Sequence, residues 1–217
     1  MIVVRPVLEM YTPDGFDLWP VADREPFTFL ALGGALSSPE VGSAVMRIAA
    51  CNDMDPDELP LLRAGAVESF LRGLLTCDPL FAAGGLRVTD TTTGVTFLPG
   101  CCDGLEDWRA WYRLAEADGA LGFGHEPVSP LAERLGDTLR LTVDAERSDS
   151  PVIEFPVTDL RPLLAGVERD LSGFLVSAAA WASLQLPDHA DSLTAALARV
   201  LAILAPGASP DQWPQPS

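Results

Sequence analysis

The sequence contains no lysine, and only two histidines and two tyrosines occur among its 217 residues. All 14 cationic side chains are therefore arginines, and they face 31 aspartates and glutamates, which gives a formal net charge of −17. A surface this acidic argues against nucleic-acid binding, because phosphate backbones require cationic contacts. Adhesion to anionic lipid is disfavoured for the same reason. We interpret the absence of lysine as a coding bias rather than a chemical requirement.

The sequence also lacks any segment that predicts secretion or membrane insertion. No basic region followed by a long apolar run and a small-residue cleavage site opens the chain, as it does in a signal peptide. The longest uncharged apolar run, residues 171–186, is shorter than the roughly 20 residues that a membrane-spanning helix needs. We therefore expect a cytoplasmic protein whose cysteines are free thiols rather than a disulfide framework. The cysteines are Cys51, Cys77, Cys101 and Cys102.

The apolar content is high enough for a substantial core despite the charge. Hydrophobic residues make up 48% of the chain and the mean hydropathy is +0.21, which excludes wholesale disorder. The length suits one domain, which we place at residues 1–205, followed by a Pro- and Ser-rich tail over 206–217 that we expect to be disordered. The segment pattern predicts an α+β fold: an antiparallel sheet of four or five strands, helices packed on it, and a helical C-terminal third.

The strand predictions depend on β-branched, apolar or alternating segments. Residues 2–8 predict a strand, and Pro6 within it indicates an edge position or the end of the strand. The run over 27–32 is too short for its period to separate strand from helix. A turn ending in Gly94 predicts a hairpin. The remaining predicted strands are residues 86–90, 95–98, 138–143 and 152–155.

Helical periodicity is clearest in the C-terminal third. Apolar positions three and four residues apart, from Leu160 to Trp181, predict one long helix with Thr158 as its N-cap. A final helix follows, for which Asp188 is the expected cap. Three earlier helices are predicted over residues 38–50, 60–76 and 105–116, the first of them capped by Ser38.

Two adjacent thiols, Cys101 and Cys102, stand between a predicted strand and a predicted helix. The positive end of a helix dipole lowers the pKa of a nearby thiol and makes it more nucleophilic. His125 is a candidate base that would activate either thiol in a cysteine-dependent enzyme. The three carboxylates within residues 103–107 oppose thiolate formation, however. The alternative is that both cysteines fill space as small apolar side chains.

Several common classes of site lack their motif in this chain. The adjacent cysteines do not have zinc-ligand spacing, and the two histidines supply no second pair. Residues 53–58 begin like a calcium loop, but the sixth position is Glu58 instead of glycine and the twelfth is Ala64 instead of glutamate. Neither a G-x-S-x-G elbow nor an H-E-x-x-H helix is present. We therefore predict no metal and no cofactor.

Three aromatic side chains share the helix predicted over residues 105–116. Trp108 and Tyr112 lie on one face with Leu105, and Trp111 lies beside that face. Aromatic side chains at this spacing usually belong to the core. Otherwise they anchor a partner or a ligand, so all three are candidate binding residues.

Because no complete catalytic set is present, we expect a binding protein rather than an enzyme. A small acidic domain complements a partner protein with a basic surface. An immunity-type inhibitor, which blocks a cationic toxin that targets nucleic acid, would have this charge. Two alternatives stay open. One is a cysteine-dependent enzyme that uses Cys101 or Cys102 with His125, and the other is a small-molecule binder with an aromatic pocket.

Overall fold

The computed structural model describes residues 1–53, 65–100, 103–123 and 128–203 of the chain. The strands are β1 (Ile2–Glu9), β2 (Phe29–Ala31), β3 (Gly84–Asp90), β4 (Thr96–Phe97), β5 (Gly119–Gly122), β6 (Leu131–Leu135), β7 (Thr138–Thr142) and β8 (Val152–Pro156). The α-helices are α1 (Ser38–Cys51), α2 (Ala66–Thr76), α3 (Tyr112–Glu116), α4 (Leu160–Gln185) and α5 (Ala190–Val200). Short 3₁₀ helices, Leu105–Trp111, Val157–Asp159 and Pro187–His189, directly precede α3, α4 and α5. The predicted α+β class with a helical C-terminal third is confirmed.

The described strands are distributed over two antiparallel four-stranded sheets. The first sheet has the order β2-β1-β3-β4 and the second has the order β5-β6-β7-β8. The sequence predicted a single sheet of four or five strands, and β5 and β6 were not among its strands. Their signals are weak because β5 reads Gly-Ala-Leu-Gly and β6 places two charged residues among its five. The predicted hairpin β3–β4 and the predicted pair β7–β8 are both present.

Strand β1 lies inside the first sheet, so the edge position indicated by Pro6 is wrong. It pairs with β2 on one side and, from Ile2 to Leu8, with β3 on the other. The Pro6 carbonyl accepts a hydrogen bond of 2.9 Å from the Leu32 N–H, which places the ring nitrogen on the β2 side. Because β2 ends at Ala31, the N–H that proline lacks falls just beyond the neighbouring strand. An interior strand therefore accommodates this proline.

Helix α4 contacts β1, α1 and α5 and supplies much of the core. Its buried side chains are Leu160, Leu164, Val167, Leu171, Phe174, Leu175, Ala178, Trp181 and Ala182. This set contains the predicted apolar face except Leu163, which is only partly buried. The long amphipathic helix is therefore confirmed, and it holds the first sheet and the neighbouring helices together.

The N-cap of α1 is Ser37 rather than the predicted Ser38. The backbone N–H of Ser37 donates to the Glu40 carboxylate over 2.9 Å, and the Ser37 hydroxyl donates to the same oxygen over 2.7 Å. Pro39 consequently occupies the second helical position. The sequence alone does not show which of two consecutive serines caps the helix. The hydrogen bonds between Ser37 and Glu40 make Ser37 the cap.

The starts of three other helices differ from the predictions. Thr158 and Asp188 lie inside the 3₁₀ turns that precede α4 and α5, and neither is the N-cap of its α-helix. The helix predicted from residue 60 begins as α2 at Ala66, because Gly65 is extended. Residues 60–64 lie outside the described part of the chain. Short 3₁₀ turns satisfy the same terminal N–H groups that a side-chain cap would satisfy, which explains the shift.

The second sheet has one buried face and one exposed face, as the alternation in β7 predicted. The inner face consists of Ala132, Leu139, Leu141, Ile153 and Phe155, all of them buried. The opposite face has a charged row across three strands, in which Arg140 lies 3.4 Å from the Glu154 carboxylate. Only one face of this sheet therefore packs into the core.

The fold leaves two expectations open. The domain predicted over residues 1–205 stays a prediction, and residues 206–217 lie outside the described ranges. Among the helices that the structure describes, none is both long enough and apolar enough to cross a bilayer. The cytoplasmic location stays a prediction.

Candidate functional site

A cleft of about 510 Å³ opens where β3, the 3₁₀ helix Leu105–Trp111 and β5 meet. A second hollow of about 300 Å³, next to Asp78 and Arg199, shares Glu106 and Asp107 with the cleft. The two hollows therefore adjoin. We call them together the acidic groove, because they are lined by the carboxylates of Asp78, Asp103, Glu106 and Asp107.

Backbone pairing with residues 82–84 fixes the acidic wall of the groove. Gly104 forms an isolated antiparallel bridge with Ala83, next to the first sheet. The Leu105 N–H donates to the Ala82 carbonyl over 2.8 Å, and the Ala82 N–H donates to a Glu106 carboxylate oxygen over 2.9 Å. The Glu106 side chain is therefore held by the backbone that leads into β3.

Asp103 does not cap the 3₁₀ helix that follows it. The 3₁₀ helix has Gly104 as its N-cap, and the Asp103 carboxylate accepts a hydrogen bond of 2.6 Å from the Gly100 N–H. Glu106 reaches Ala82 instead of turning back to the cap residue. Both carboxylates thus accept hydrogen bonds from backbone N–H groups that precede the 3₁₀ helix in the sequence.

Glu106 is half-buried in the wall of the groove. Burial raises the pKa of its carboxyl, the hydrogen bond from Ala82 lowers that pKa, and the charge of Asp107 raises it. A Cβ atom added at Gly104 would overlap the Glu106 carboxylate in its present position, so a larger residue there would have to displace this side chain. A cation entering the groove would offset the desolvation of this charged group.

The aromatic wall of the groove is a stacked pair, Trp111 and Phe123. Their ring centroids lie 5.4 Å apart with an interplanar angle of 22°. Phe97 meets both rings edge-on, at 6.1 Å from Trp111 and 5.7 Å from Phe123. This cluster joins a strand of the first sheet to the end of β5.

Both tryptophans of the 3₁₀ helix Leu105–Trp111 are buried, Trp111 being 3% exposed. Trp108 is 1% exposed, its indole N–H donates to the Leu201 carbonyl over 2.9 Å, and the Arg109 guanidinium lies 4.4 Å from its ring. Tyr112 is partly buried beneath Arg161, 5.9 Å away, and is not among the residues that line the groove. The aromatic stripe therefore packs mainly in the core, with Trp108 and Trp111 touching the groove.

The candidate catalytic residues Cys101, Cys102 and His125 lie outside the described residues. The cysteine-dependent enzyme that would use them therefore stays a prediction. The sequence did not single out Phe123, Asp78 or β5 as parts of a site. Their approach depends on pairing between distant segments, for which the local pattern holds no signal.

The remaining cysteines, Cys51 and Cys77, are free thiols in the structure. Burial raises the pKa of the Cys51 thiol, while a backbone hydrogen bond at Ala83 lowers it. A thiol with a raised pKa is a weak nucleophile at neutral pH. Within the described ranges, no group of three or more His, Cys, Asp or Glu side chains could hold a metal ion.

The acidic groove thus combines fixed carboxylates with a stacked aromatic wall. Two arginines, Arg113 and Arg199, also line it, and neither takes part in the ion pairs of the described residues. Comparison of the chain with protein-family models, with curated proteins and with solved structures finds no match.

Proposed function

We propose that this protein binds a partner protein with a basic surface and that the acidic groove is the contact site. The observation that carries the proposal is the placement of Asp78, Glu106 and Asp107 along the acidic groove, whose cleft also contains the Trp111–Phe123 stack. Arginine and lysine side chains present both a charge and an apolar stem, which such a cleft can accommodate. An immunity-type inhibitor of a cationic toxin is one member of this class.

The charge distribution over the rest of the molecule supports a binding role. Many of the described arginines are already engaged in ion pairs, so they do not neutralise the remaining carboxylates. These pairs are Arg5–Asp170, Arg24–Glu40, Arg109–Glu168, Arg134–Asp118, Arg140–Glu154, Arg147–Asp149 and Arg161–Glu116. The resulting negative field would accelerate the approach of a basic partner, and salt would weaken it beyond the Debye length of about 8 Å.

A small organic cation is the second candidate ligand. The cleft volume of about 510 Å³ suits a small molecule, and the Trp111–Phe123 stack supplies an apolar wall. The two candidates differ in the area they cover, because a protein partner would also contact the surface outside the cleft. A protein would therefore lose affinity with salt more steeply than a singly charged small molecule.

The proposal can be tested with a defined basic probe, a blocked octapeptide of alternating arginine and valine. Its affinity is measured by fluorescence anisotropy for the wild type and for the double variant Glu106→Gln/Asp107→Asn. We expect about tenfold weaker binding in this variant, because charged contacts inside a cleft are screened less than exposed ones. The matched control is Asp23→Asn/Glu25→Gln, which removes two exposed charges from outside the groove.

Equal losses in the two double variants would show that only the net charge matters and would contradict a specific groove. Absence of salt-sensitive binding to the wild type would contradict the function itself. Alkylation tests the enzyme alternative separately. Fast iodoacetamide labelling of Cys101 or Cys102 at pH 6, abolished by His125→Ala, would favour a cysteine-dependent enzyme over a binding protein.

A further inference from the structure

Strand β5 lines the acidic groove with an edge that no other strand covers in the described part of the chain. It pairs with β6 on one side and is the first strand in the order of the second sheet. Ala120, Leu121 and Gly122 all line the cleft of about 510 Å³. The uncovered edge of the sheet and the acidic groove are therefore the same place.

The register of β5 shows which backbone groups point into the groove. The Phe123 N–H donates to the Pro130 carbonyl over 2.9 Å, so the peptide groups of Phe123 face the β6 side. In an antiparallel pair the direction of the backbone N–H and C=O groups alternates from one residue to the next. Those of Leu121 therefore face β6, as Phe123's do, whereas those of Ala120 and Gly122 face away from it. The N–H and C=O groups of Ala120 and Gly122 thus point away from β6, with the spacing that an added strand requires.

The opposite edge of the same sheet, β8, is protected against the addition of a further strand, whereas β5 is not. Strand β8 ends at Pro156 and is preceded by Pro151. The Val157 N–H donates to the Asp137 carbonyl over 2.9 Å, so by alternation the ring nitrogen of Pro156 faces outward. Proline blocks strand addition because it has no N–H. Strand β5, Gly-Ala-Leu-Gly, has neither a proline nor a charge to block its edge.

We infer that β5 docks an extended, cationic segment of the partner, which adds to the second sheet as a further strand. This inference rests on the proposed function and specifies its binding mode. Backbone hydrogen bonds to Ala120 and Gly122 would supply affinity. Alternate side chains of the added strand would face the carboxylates of Glu106 and Asp107, and these contacts would select arginine or lysine.

The charge of the chain also decides which strand can occupy this edge. Two copies of this protein, each with a formal charge of −17, would repel one another if they paired through β5. An acidic peptide would meet the same repulsion in the groove. A basic extended segment instead gains both the backbone pairing and the charge attraction.

The experiment compares two cationic probes on three forms of the full chain, with a glutamate–valine octapeptide as the acidic control. The probes are the arginine–valine octapeptide and the same sequence N-methylated at every residue, which keeps the charge but cannot donate backbone hydrogen bonds. The variant Ala120→Pro removes one outward N–H and leaves the β5–β6 hydrogen bonds in place. The control variant Val152→Pro places a proline at an outward position of β8, away from the groove.

We expect the unmethylated probe to bind Ala120→Pro at least about tenfold more weakly than it binds the wild type and Val152→Pro. The N-methylated probe should bind the wild type with a similar loss, which tests the inference even if Ala120→Pro does not fold. Amide hydrogen exchange should slow at Ala120 and Gly122 when the unmethylated probe is bound.

Two results would overturn the inference and are distinguishable from failure of the proposed function. If both probes bind the wild type equally and with salt sensitivity, the groove recognises charge without strand addition, and only the inference is wrong. If a glutamate–valine octapeptide binds as tightly as the arginine–valine one, the edge is not selective for a cationic segment. If no basic probe binds at low salt, the proposed function fails as well.

Discussion

The two sheets differ in how they are stabilised. In the first, β1 is paired on both sides, contacts α4 and meets the 3₁₀ helix Leu105–Trp111. In the second, one face is buried and the other carries a row of exposed charges, while α3 packs at its β5 end. The comparison indicates that the first sheet depends on close packing from several elements. The second sheet depends on its own hairpins and leaves one edge uncovered.

The largest expected effect is on the packing of α4 against the first sheet. Leu171 is fully buried, and Leu171→Ala should lower the free energy of unfolding by about 2–5 kcal/mol, because it leaves a cavity. The control is Val176→Ala on the same helix, where the side chain is 60% exposed and the change should be small. Urea denaturation measures both variants. A loss below about 0.5 kcal/mol for Leu171→Ala would show that α4 does not hold the core.

The second prediction compares a glycine of each sheet. A Cβ atom at Gly84 in β3 would lie 2.1 Å from the Val7 carbonyl oxygen, and its φ is +150°. Gly84→Ala should therefore cost about 3 kcal/mol, from overlap and backbone strain together. Gly136, in the β6–β7 turn, has φ +64° but open space around it, so Gly136→Ala should cost only about 1–2 kcal/mol. Equal losses, measured by denaturation, would remove the contrast between the sheets.

The sequence predicted those elements whose signal is local. Helix α4 repeats its apolar positions over many turns, and β7 alternates the buried Leu139 and Leu141 with partly exposed polar residues, so both follow from the pattern of the chain alone. Strand β5 has no such pattern, because glycine and alanine favour neither face. It becomes a strand through pairing with β6, which is a property of the sheet rather than of four residues. The edge position predicted from Pro6 was wrong for the same reason, because an interior strand can contain this proline only where β2 ends.

The candidate site was predictable only in part. The spacing placed Trp108 and Tyr112 on one helical face with Trp111 beside it, and of these three residues Trp108 and Trp111 line the groove. What lies opposite them, Phe123 and β5, comes from a segment that folds back after α3. The chain brings Glu106 to Ala82 through an isolated bridge, and no spacing rule connects those two positions. Local periodicity therefore does not predict a groove that forms between segments far apart in the sequence.

The third prediction concerns Glu106, which lies where the first sheet meets the groove. Burial raises the pKa of this carboxyl in the folded state above its unfolded value. The charged form therefore costs stability at neutral pH, and that cost disappears as the pH falls through the folded-state pKa. We expect Glu106→Gln to be slightly more stable than the wild type at pH 7, with no difference at acid pH. Thermal unfolding at both pH values tests this, and a less stable variant at pH 7 would show that the hydrogen bond to Ala82 outweighs burial.

The smallest expected effect is at the hairpin that closes β3 and β4. Asp90 accepts hydrogen bonds of 2.9 Å from the Thr92 N–H and from the Thr93 hydroxyl, and these lower the pKa of its carboxyl from 3.8 to about 2. A depressed pKa stabilises the fold above the unfolded value, and that stability is lost as the pH falls from about 4 towards 2. Asp90→Asn should therefore be slightly less stable than the wild type at pH 6, and the two should converge near pH 2. Carboxyl titration by NMR checks the cause directly, because a midpoint near 3.8 would mean that this turn adds nothing to the first sheet beyond its backbone pairing.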